Sequence, residues 1–216
     1  VMKKLINFVS ALLIAILIIT SSIIIGLNIK TAYYINIDKI YSENPVFEKE
    51  TMKENYNILI NYLQPTNKNK LELKNIDMSA NGRFHFYEVK VIFNYIYLAF
   101  LISLILSIGL YFYNRKNRTF KYLKHSAFLA FLIPVLLGIP FAVNFSKSFT
   151  LFHKLLFSND YWIFDPKIDP VINILPEWFF MQMAFLILII MLIFSIISFS
   201  IGNFLDKRHG DFELLL

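Results

Sequence analysis

Histidine is the side chain best suited to proton transfer near neutral pH, and this chain of 216 residues contains four. His125 lies beside a basic stretch and His209 near the polar C-terminal part, where solvated interfacial positions explain both. His85 and His153 differ, because each is flanked by aromatic residues and lies within about two helical turns of a predicted membrane boundary. These two are therefore the candidate residues for chemistry.

A carboxylate follows His85 at a spacing that favours contact. Glu88 comes three residues later, on the same face of a helix. In that position a carboxylate can hold one imidazole nitrogen and leave the other as a base. Ser79 is predicted to cap the helix that passes through "RFHFYEVK" into an apolar run, although Gly82 in its interior weakens the prediction.

The second histidine lies in a stretch rich in aromatic rings, "FTLFHKLLFSNDYWIFDPKIDP" at 149–170. Rings around His153, one of them a tryptophan anchor, indicate a segment at a membrane interface: Phe149, Phe152, Phe157 and Trp162. Asn159 and Asp160 can cap or turn the backbone and offer hydrogen bonds to a polar head group.

Several kinds of chemistry are excluded by residues that the sequence lacks. There is no cysteine, which removes a thiol nucleophile, a disulfide and any cysteine metal site. Zinc-protease, serine-hydrolase and glycine-rich phosphate-loop motifs are also missing. The two histidines with Glu88 and Asp160 make only a loose metal site. The sequence therefore supplies bases without an obvious nucleophile.

The elements that must position these residues are apolar. Hydrophobic residues make up 57% of the chain, and the mean hydropathy is +0.57. Crossing a hydrocarbon core of about 30 Å takes roughly 20 apolar residues. The runs that qualify are 5–27, 91–113, 126–145 and 178–204. The first has no cleavage site, which favours an uncleaved anchor. The pattern predicts an all-α integral membrane protein, one polytopic domain over 1–216 with four transmembrane helices and a small extracytoplasmic portion between the first two.

Basic residues in short flanking segments predict the orientation. They occur before the first run, in "NRKNRTFKYLK" between the second and third, and after the last: Lys3, Lys4, Arg115, Lys116, Arg118, Lys121, Lys124, Lys207 and Arg208. Both termini and the loop 114–125 are therefore expected in the cytoplasm, with 28–90 and 146–177 outside. Cytoplasmic loops that face an anionic leaflet account for the net charge of +6, so nucleic-acid binding is not indicated.

Within the long first loop, one helix is predicted from its spacing of apolar residues. Tyr56, Leu59, Ile60 and Leu63 form a helical stripe that Pro65 ends. The stretch 71–79 is predicted to be a strand or an interfacial segment. In the third run, two prolines and a glycine predict a bent helix: Pro134, Gly138 and Pro140.

The two histidine segments together carry a family resemblance. "FHFYEVK" before the second run and "FTLFHKLLFSNDYWIFDPKIDPVINILPEWFF" before the last are similar to the bacterial lipoprotein intramolecular transacylase (Lit) family. The resemblance covers essentially the whole chain, including the four apolar runs and the long first loop. Glu88 stands where the family commonly has aspartate, a change that keeps the carboxylate and lengthens its reach.

The resemblance implies an acyltransferase of the bacterial cell membrane that acts on the extracytoplasmic side. Its substrates would be lipoproteins whose N-terminal cysteine carries a diacylglyceryl group. One acyl chain would move from the glyceryl ester to the α-amine of that cysteine, giving an N-acylated lyso-form lipoprotein. The amine is then the nucleophile, and intramolecular proximity can lower the barrier by up to about 11 kcal/mol.

The resemblance also implies roles for particular residues. His85 would be the general base, oriented by Glu88, and His153 would polarise the ester or hold the oxyanion and help return the proton; the two roles are interchangeable. Asn159 and Asp160 would fix the loop or hold His153. Acyl chains would pack on apolar rings, namely Phe84, Phe152 and Trp162. No cofactor or metal is implied, the partners are diacylglyceryl-modified lipoproteins and the lipid bilayer, and the two histidines must lie within reach of one another.

Two other classes of function use the same residues. A metal-dependent membrane hydrolase would bind its ion with the two histidines. A non-enzymatic assembly or sensing protein would tolerate replacement of both His85 and His153.

Overall fold

Helices account for nearly all of the regular structure in the computed structural model, which describes residues 1–117 and 119–213, the side chains of 209–213 excepted. Within those residues there are seven α-helices, one 3₁₀ helix and no strand: α1 Met2–Asn28, α2 Thr31–Glu43, α3 Lys49–Tyr62, α4 Ala80–Lys116, α5 Lys121–Val143, α6 Phe145–Leu156, the 3₁₀ helix Pro170–Ile174 and α7 Glu177–Glu213. Arg118 and the His209 side chain lie outside the described part.

Four of the helices described are long and apolar enough to cross a membrane: α1, α4, α5 and α7. Helices α1, α4 and α7 contain the predicted runs 5–27, 91–113 and 178–204, and α5 contains the run 126–145 except for its last two residues. The predicted class, an all-α membrane protein with four spanning helices, is confirmed. The third spanning helix stays helical through Pro134, Gly138 and Pro140.

The chain forms two packing units, and the first consists of 1–24, 96–139 and 186–216. Its helices pack around a buried cluster that contains Ala15, Ala130 and Met191. Polar side chains join them as well: the Asn114 amide donates to the Ser10 hydroxyl at 2.9 Å, a contact type that contributes to helix association in membranes.

The second packing unit, 25–95 and 140–185, has its own apolar core. Tyr33 of α2 stacks on Tyr56 of α3 with ring centroids 3.9 Å apart, and its hydroxyl donates to the Ile174 carbonyl. Leu59, Ile60 and Leu63 are buried beside them, which confirms the predicted helical stripe. Helix α2 was not predicted, although its buried residues Tyr33, Ile37 and Ile40 follow a helical spacing.

The stretch 71–79 is neither strand nor helix. Its backbone groups find a side-chain partner instead of a neighbouring strand: Lys74 N donates to Asn55 Oδ1 at 2.7 Å, and Asn55 Nδ2 donates to Lys74 O at 2.9 Å. Asn55 is fully buried, so this pair satisfies polar groups that would otherwise be costly. The predicted strand is therefore absent from this stretch.

The start of α4 confirms the predicted cap and explains the interior glycine. Ser79 Oγ accepts a hydrogen bond from Gly82 N at 2.9 Å. Ser79 also donates through its backbone N and its hydroxyl to the Asp169 carboxylate, at 2.7 and 2.8 Å. A Cβ on Gly82 would lie 2.5 Å from Asp169 Oδ1 and 3.1 Å from the Phe164 ring. Glycine is therefore required where the loop after α6 meets the first turn of α4.

Candidate active site

Three segments of the second packing unit meet at the predicted histidines. The first turns of α4 supply His85 and Glu88, α6 supplies His153, and the loop that follows α6 supplies Asn159 and Trp162. The contact between Ser79 and Asp169 fixes that loop to the start of α4, so the two histidines are positioned by the same structure.

His85 and His153 lie in one cluster of rings although they are far apart in sequence. Their ring centroids are 6.0 Å apart, and their side chains are nearly buried, with exposed fractions of 5% and 8%. Phe157 packs against both imidazoles, 4.8 Å from His85 and 5.7 Å from His153. The proximity expected for a shared site is therefore present.

Hydrogen bonding restricts His153. Its Nδ1 lies 2.7 Å from the Phe149 carbonyl oxygen, one turn earlier on α6. Because a carbonyl oxygen only accepts hydrogen bonds, Nδ1 must carry the hydrogen, and in the neutral ring Nε2 is then an acceptor. Burial lowers the pKa of His153 below its ordinary value of 6.5 and outweighs the contrary effect of the Phe149 hydrogen bond. Near neutral pH, His153 is thus a neutral base with Nε2 free.

This arrangement changes two expectations about His153. The ring is held by the Phe149 carbonyl and not by Asn159 or Asp160, so of the two alternatives for these residues only the fixing of the loop remains. Asp160 is exposed, and its backbone carbonyl accepts from Ile163 N. A neutral His153 also has no N–H at Nε2 with which to polarise an ester. That role would require the imidazolium form, which burial disfavours.

His85 and Glu88 differ from the arrangement expected of them. Within the described part of the chain, His85 Nδ1 and Glu88 Oε2 are both buried and have no hydrogen-bond partner, so the carboxylate does not hold the imidazole. Glu88 Oε1 instead accepts a hydrogen bond from Asn159 Nδ2 at 2.9 Å. Asn159 also braces its own loop, accepting from Tyr161 N through its side chain and from Trp162 Nε1 through its carbonyl.

The rings expected to hold acyl chains divide into two kinds. Phe84 and Phe152 are 46% and 47% exposed, beside the buried histidines. Trp162 is half-buried and packs against His153 with ring centroids 4.8 Å apart, so it belongs to the wall around that imidazole.

Phe157, one of the rings noted around His153, also packs on His85. Two residues around the histidines were not singled out from the sequence: Phe164, which packs on His85, and Asp169, a buried carboxylate that holds the loop to α4. The Asp-Pro pair at 169–170 indicated a turn, but no signal in the sequence indicated that Ser79 would be its partner.

Comparison with known proteins decides the family. A family model described as "Lipoprotein intramolecular transacylase Lit" matches residues 8–180. The structure of the membrane integral lipoprotein intramolecular transacylase Lit from Bacillus cereus is similar, with 40% sequence identity, a TM-score of 0.94, and coverage of 97% of this chain and 98% of that one. The chain belongs to the lipoprotein intramolecular transacylase family.

Two further structures of the Bacillus cereus protein match as well. They are the H85R and H85A variants, each 39% identical to this chain, with TM-scores of 0.87 and 0.88. Each comparison covers 97% of this chain, and 94% and 96% of the respective variant. A search of curated proteins gave no match.

Membership of the Lit family settles the class of activity. The chain is a membrane-integral acyltransferase that transfers an acyl group within a lipoprotein. The resemblance carried by the two histidine segments is therefore confirmed, and the hydrolase and the non-enzymatic alternatives are set aside. Among the residues described, no group of three or more histidine, aspartate or glutamate side chains is arranged to hold a metal ion.

Proposed function

We propose that His85 and His153 carry the acyl transfer of this Lit-family enzyme. The supporting observation is the pair itself: two buried imidazoles with centroids 6.0 Å apart, one of which has its tautomer fixed by a backbone carbonyl. That arrangement is typical of a base held in position by a third group.

The chemistry of the substrate gives a reason for two bases. The α-amino group of an N-terminal cysteine has an ordinary pKa of about 8, so most of it is protonated at neutral pH. An ammonium nitrogen must lose two protons to become an amide nitrogen. Two neutral imidazoles can take one proton each, which a single histidine could not do in one turnover without releasing its first proton.

The proposed steps conserve protons and bonds. His85 takes one proton from the ammonium group, and the freed nitrogen lone pair attacks the carbonyl carbon of the glyceryl ester. Burial, with the neighbouring His153, lowers the pKa of His85 to about 4, so the His85 imidazolium forms only against the developing negative charge of the oxyanion, to which it is then a charged donor. His153 Nε2 takes the second proton from nitrogen and gives it to the glyceryl oxygen as the carbon–oxygen bond breaks. The products are an amide and a glyceryl hydroxyl, and His85 returns its proton to solvent.

The enzyme supplies no covalent nucleophile in this scheme. Amine and ester belong to one substrate molecule, and holding them together can replace an acyl-enzyme intermediate. Phe84 and Phe152 present exposed rings on which the acyl chains of the substrate would pack, and Trp162 keeps the His153 ring in place.

The proposed setting is the outer side of the bacterial cytoplasmic membrane. The segments 28–90 and 146–177, which contain both histidines, would be extracytoplasmic, and the termini and 114–125 cytoplasmic. The substrates would be lipoproteins with a diacylglyceryl group on the N-terminal cysteine. Positive charge in the short loop 114–125 supports this orientation.

The test uses purified protein and a diacylglyceryl lipopeptide. Substrate and product are isomers of equal mass, so tandem mass spectrometry must locate the acyl chain on the cysteine nitrogen. We expect conversion by the wild type and by His125→Ala, which alters an exposed side chain. We expect loss of conversion in His85→Ala and in His153→Ala. Conversion by both histidine variants at the wild-type rate would overturn the proposal.

A further inference from the structure

Two buried polar atoms of the site, on the same side of α4, have no hydrogen-bond partner among the described residues. His85 Nδ1 and Glu88 Oε2 belong to residues three apart, so both project from one helical face. Buried polar groups are normally hydrogen-bonded, and those that are not call for a specific explanation. Here both atoms belong to the site where acyl transfer is proposed.

The Glu88 carboxylate is held in a defined orientation. Asn159 Nδ2 donates to Oε1 at 2.9 Å, while the Asn159 Oδ1 atom accepts from Tyr161 N at 3.0 Å. The amide is therefore fixed at both ends, and it leaves Oε2 free. A buried carboxylate oxygen without a cation beside it is costly, and a bound cationic group would offset that cost.

No cation of the described chain serves Glu88. It forms no ion pair among the residues described, and the lysine two positions later is engaged elsewhere. Lys90 Nζ donates to the Asn67 carbonyl at 2.7 Å and lies 4.2 Å from the centroid of the Tyr62 ring. None of the described residues therefore supplies a cation to Glu88, and this leaves the position open to a cationic group of a bound molecule.

We propose that Glu88 and His85 Nδ1 together bind the α-ammonium group of the substrate, an inference that rests on the proposed function. A primary ammonium has three N–H donors and a positive charge, so one N–H reaches Glu88 Oε2 and another reaches His85 Nδ1. Glu88 is thus a substrate-binding residue and not the group that orients His85. Asn159 is the positioning residue that holds Glu88.

This assignment places the first proton transfer on a defined bond. The N–H bond directed at His85 Nδ1 breaks, the proton moves to that nitrogen, and the lone pair left on the amine attacks the ester carbonyl. Glu88 Oε2 keeps its own hydrogen bond to the amine during this step. The carboxylate thereby lets the protein bind the abundant protonated form of the substrate and still deliver a neutral nucleophile.

The experiment measures binding and does not depend on turnover. Two unreactive ligands are compared, each a cysteine amide with two ether-linked alkyl chains on its glyceryl group, one with the α-amino group and one with hydrogen in its place. Their affinities at pH 7 are measured for the wild type, Glu88→Gln, Glu88→Asp, Asn159→Ala and the control Glu72→Gln, an exposed carboxylate.

We expect the wild type and Glu72→Gln to bind the ligand with the amino group about 10- to 100-fold more tightly than the one without it. Glu88→Gln should lose this preference, Glu88→Asp should retain part of it, and Asn159→Ala should reduce it. If Glu88 had a purely structural role, Glu88→Gln would weaken the binding of both ligands equally. That result, or an undiminished preference for the amino ligand in Glu88→Gln, overturns the inference. If Glu88→Gln does not fold, the ratio of the two affinities in Glu88→Asp and in Asn159→Ala decides in the same way.

The outcome is separable from that of the proposed function. A wild type that converts the ester substrate but shows no amine preference that depends on Glu88 would refute the ammonium site alone. A preference that depends on Glu88, with conversion unaffected in both histidine variants, would refute the catalytic roles and leave the ammonium site standing.

Discussion

The two histidines of the site are alike in burial but differ in hydrogen bonding. Both are enclosed by aromatic rings, and Phe157 contacts each of them. His153 has one nitrogen fixed by the Phe149 carbonyl, whereas the Nδ1 atom of His85 has no partner among the residues described. The two histidines therefore differ in whether Nδ1 is hydrogen-bonded, and not in their apolar surroundings.

The contrast indicates a division of labour. A ring with a fixed tautomer presents one nitrogen in one protonation state, which suits a base that accepts a proton and passes it on. A ring without such a bond can use both nitrogens, which suits a residue that takes a proton at Nδ1 and donates from Nε2 to an oxyanion. Glu88, held by Asn159, adds negative charge on the His85 side alone.

The largest expected effect is that of His85→Ala. We expect turnover to fall on the order of 10³–10⁴, because the variant loses both the first base and the charged donor beside the oxyanion. Conversion of diacylated to N-acylated lyso-lipoprotein in membranes with matched enzyme levels measures it. His125→Ala is the control, and near-normal conversion by His85→Ala would remove His85 from the site.

The His153→Asn variant separates the hydrogen bond to the Phe149 carbonyl from proton transfer. Asparagine keeps an N–H that can donate to the Phe149 carbonyl but has no base, so we expect the fold to survive and turnover to fall on the order of 10²–10³. Thermal unfolding and the same conversion assay are the measurements. Activity close to wild type would show that His153 only fills space in the ring cluster.

Asn159→Ala tests whether the carboxylate must be positioned. Removing the amide frees Glu88 Oε1, and we expect about tenfold lower kcat/KM, mostly through a higher KM. Steady-state kinetics with a diacylglyceryl lipopeptide measure kcat and KM separately. A fall in kcat at constant KM would instead assign Asn159 to a step after substrate binding.

The next prediction concerns the pH at which His153 becomes protonated. Burial lowers its pKa below 6.5, so the ring stays neutral as the pH falls through 6.5 and becomes protonated only at lower pH. An NMR titration, with the His153 signal assigned by its loss in His153→Asn, should give a midpoint below 6.5. A midpoint above that value would contradict the neutral base assigned to this ring.

The smallest expected effect concerns the exposed hydroxyl nearest to the site in sequence. Ser158→Ala should leave conversion within about twofold of the wild type, because the substrate amine is the nucleophile. An acyl group trapped on Ser158, or on another hydroxyl, would replace direct transfer by a two-step route.

The features that local patterns determine could be predicted from the sequence. Apolar runs identified the four spanning helices, and Ser79 marked the start of α4. The two histidines were selected by their aromatic neighbours, and they do lie together. For the helices and the cap, the signal and the structure fall within a few residues of one another, whereas the meeting of the two histidines was expected from a shared site and not from a local pattern.

Apart from the meeting of the two histidines, contacts between distant segments could not be predicted. The amide of Asn159 meets Glu88 across 71 positions, and Asp169 meets Ser79 across 90. Glu88 was expected to hold His85 because the spacing on one helix allowed it, but the loop after α6 offers a better donor. Gly82, which weakened the helix prediction, is explained only by Asp169 and Phe164 packing against it.

A label-crossover experiment tests the central claim most directly. Purified protein is given two diacylglyceryl lipopeptides at once, one with heavy acyl chains and a light peptide, the other with light chains and a heavy peptide. Direct transfer within one substrate molecule predicts that the acyl group on each cysteine nitrogen comes from the same lipopeptide: heavy acyl on light peptide, and light acyl on heavy peptide. Tandem mass spectrometry reads these pairs. Products in which the labels are exchanged would show that the acyl group leaves the substrate molecule, and would contradict the account.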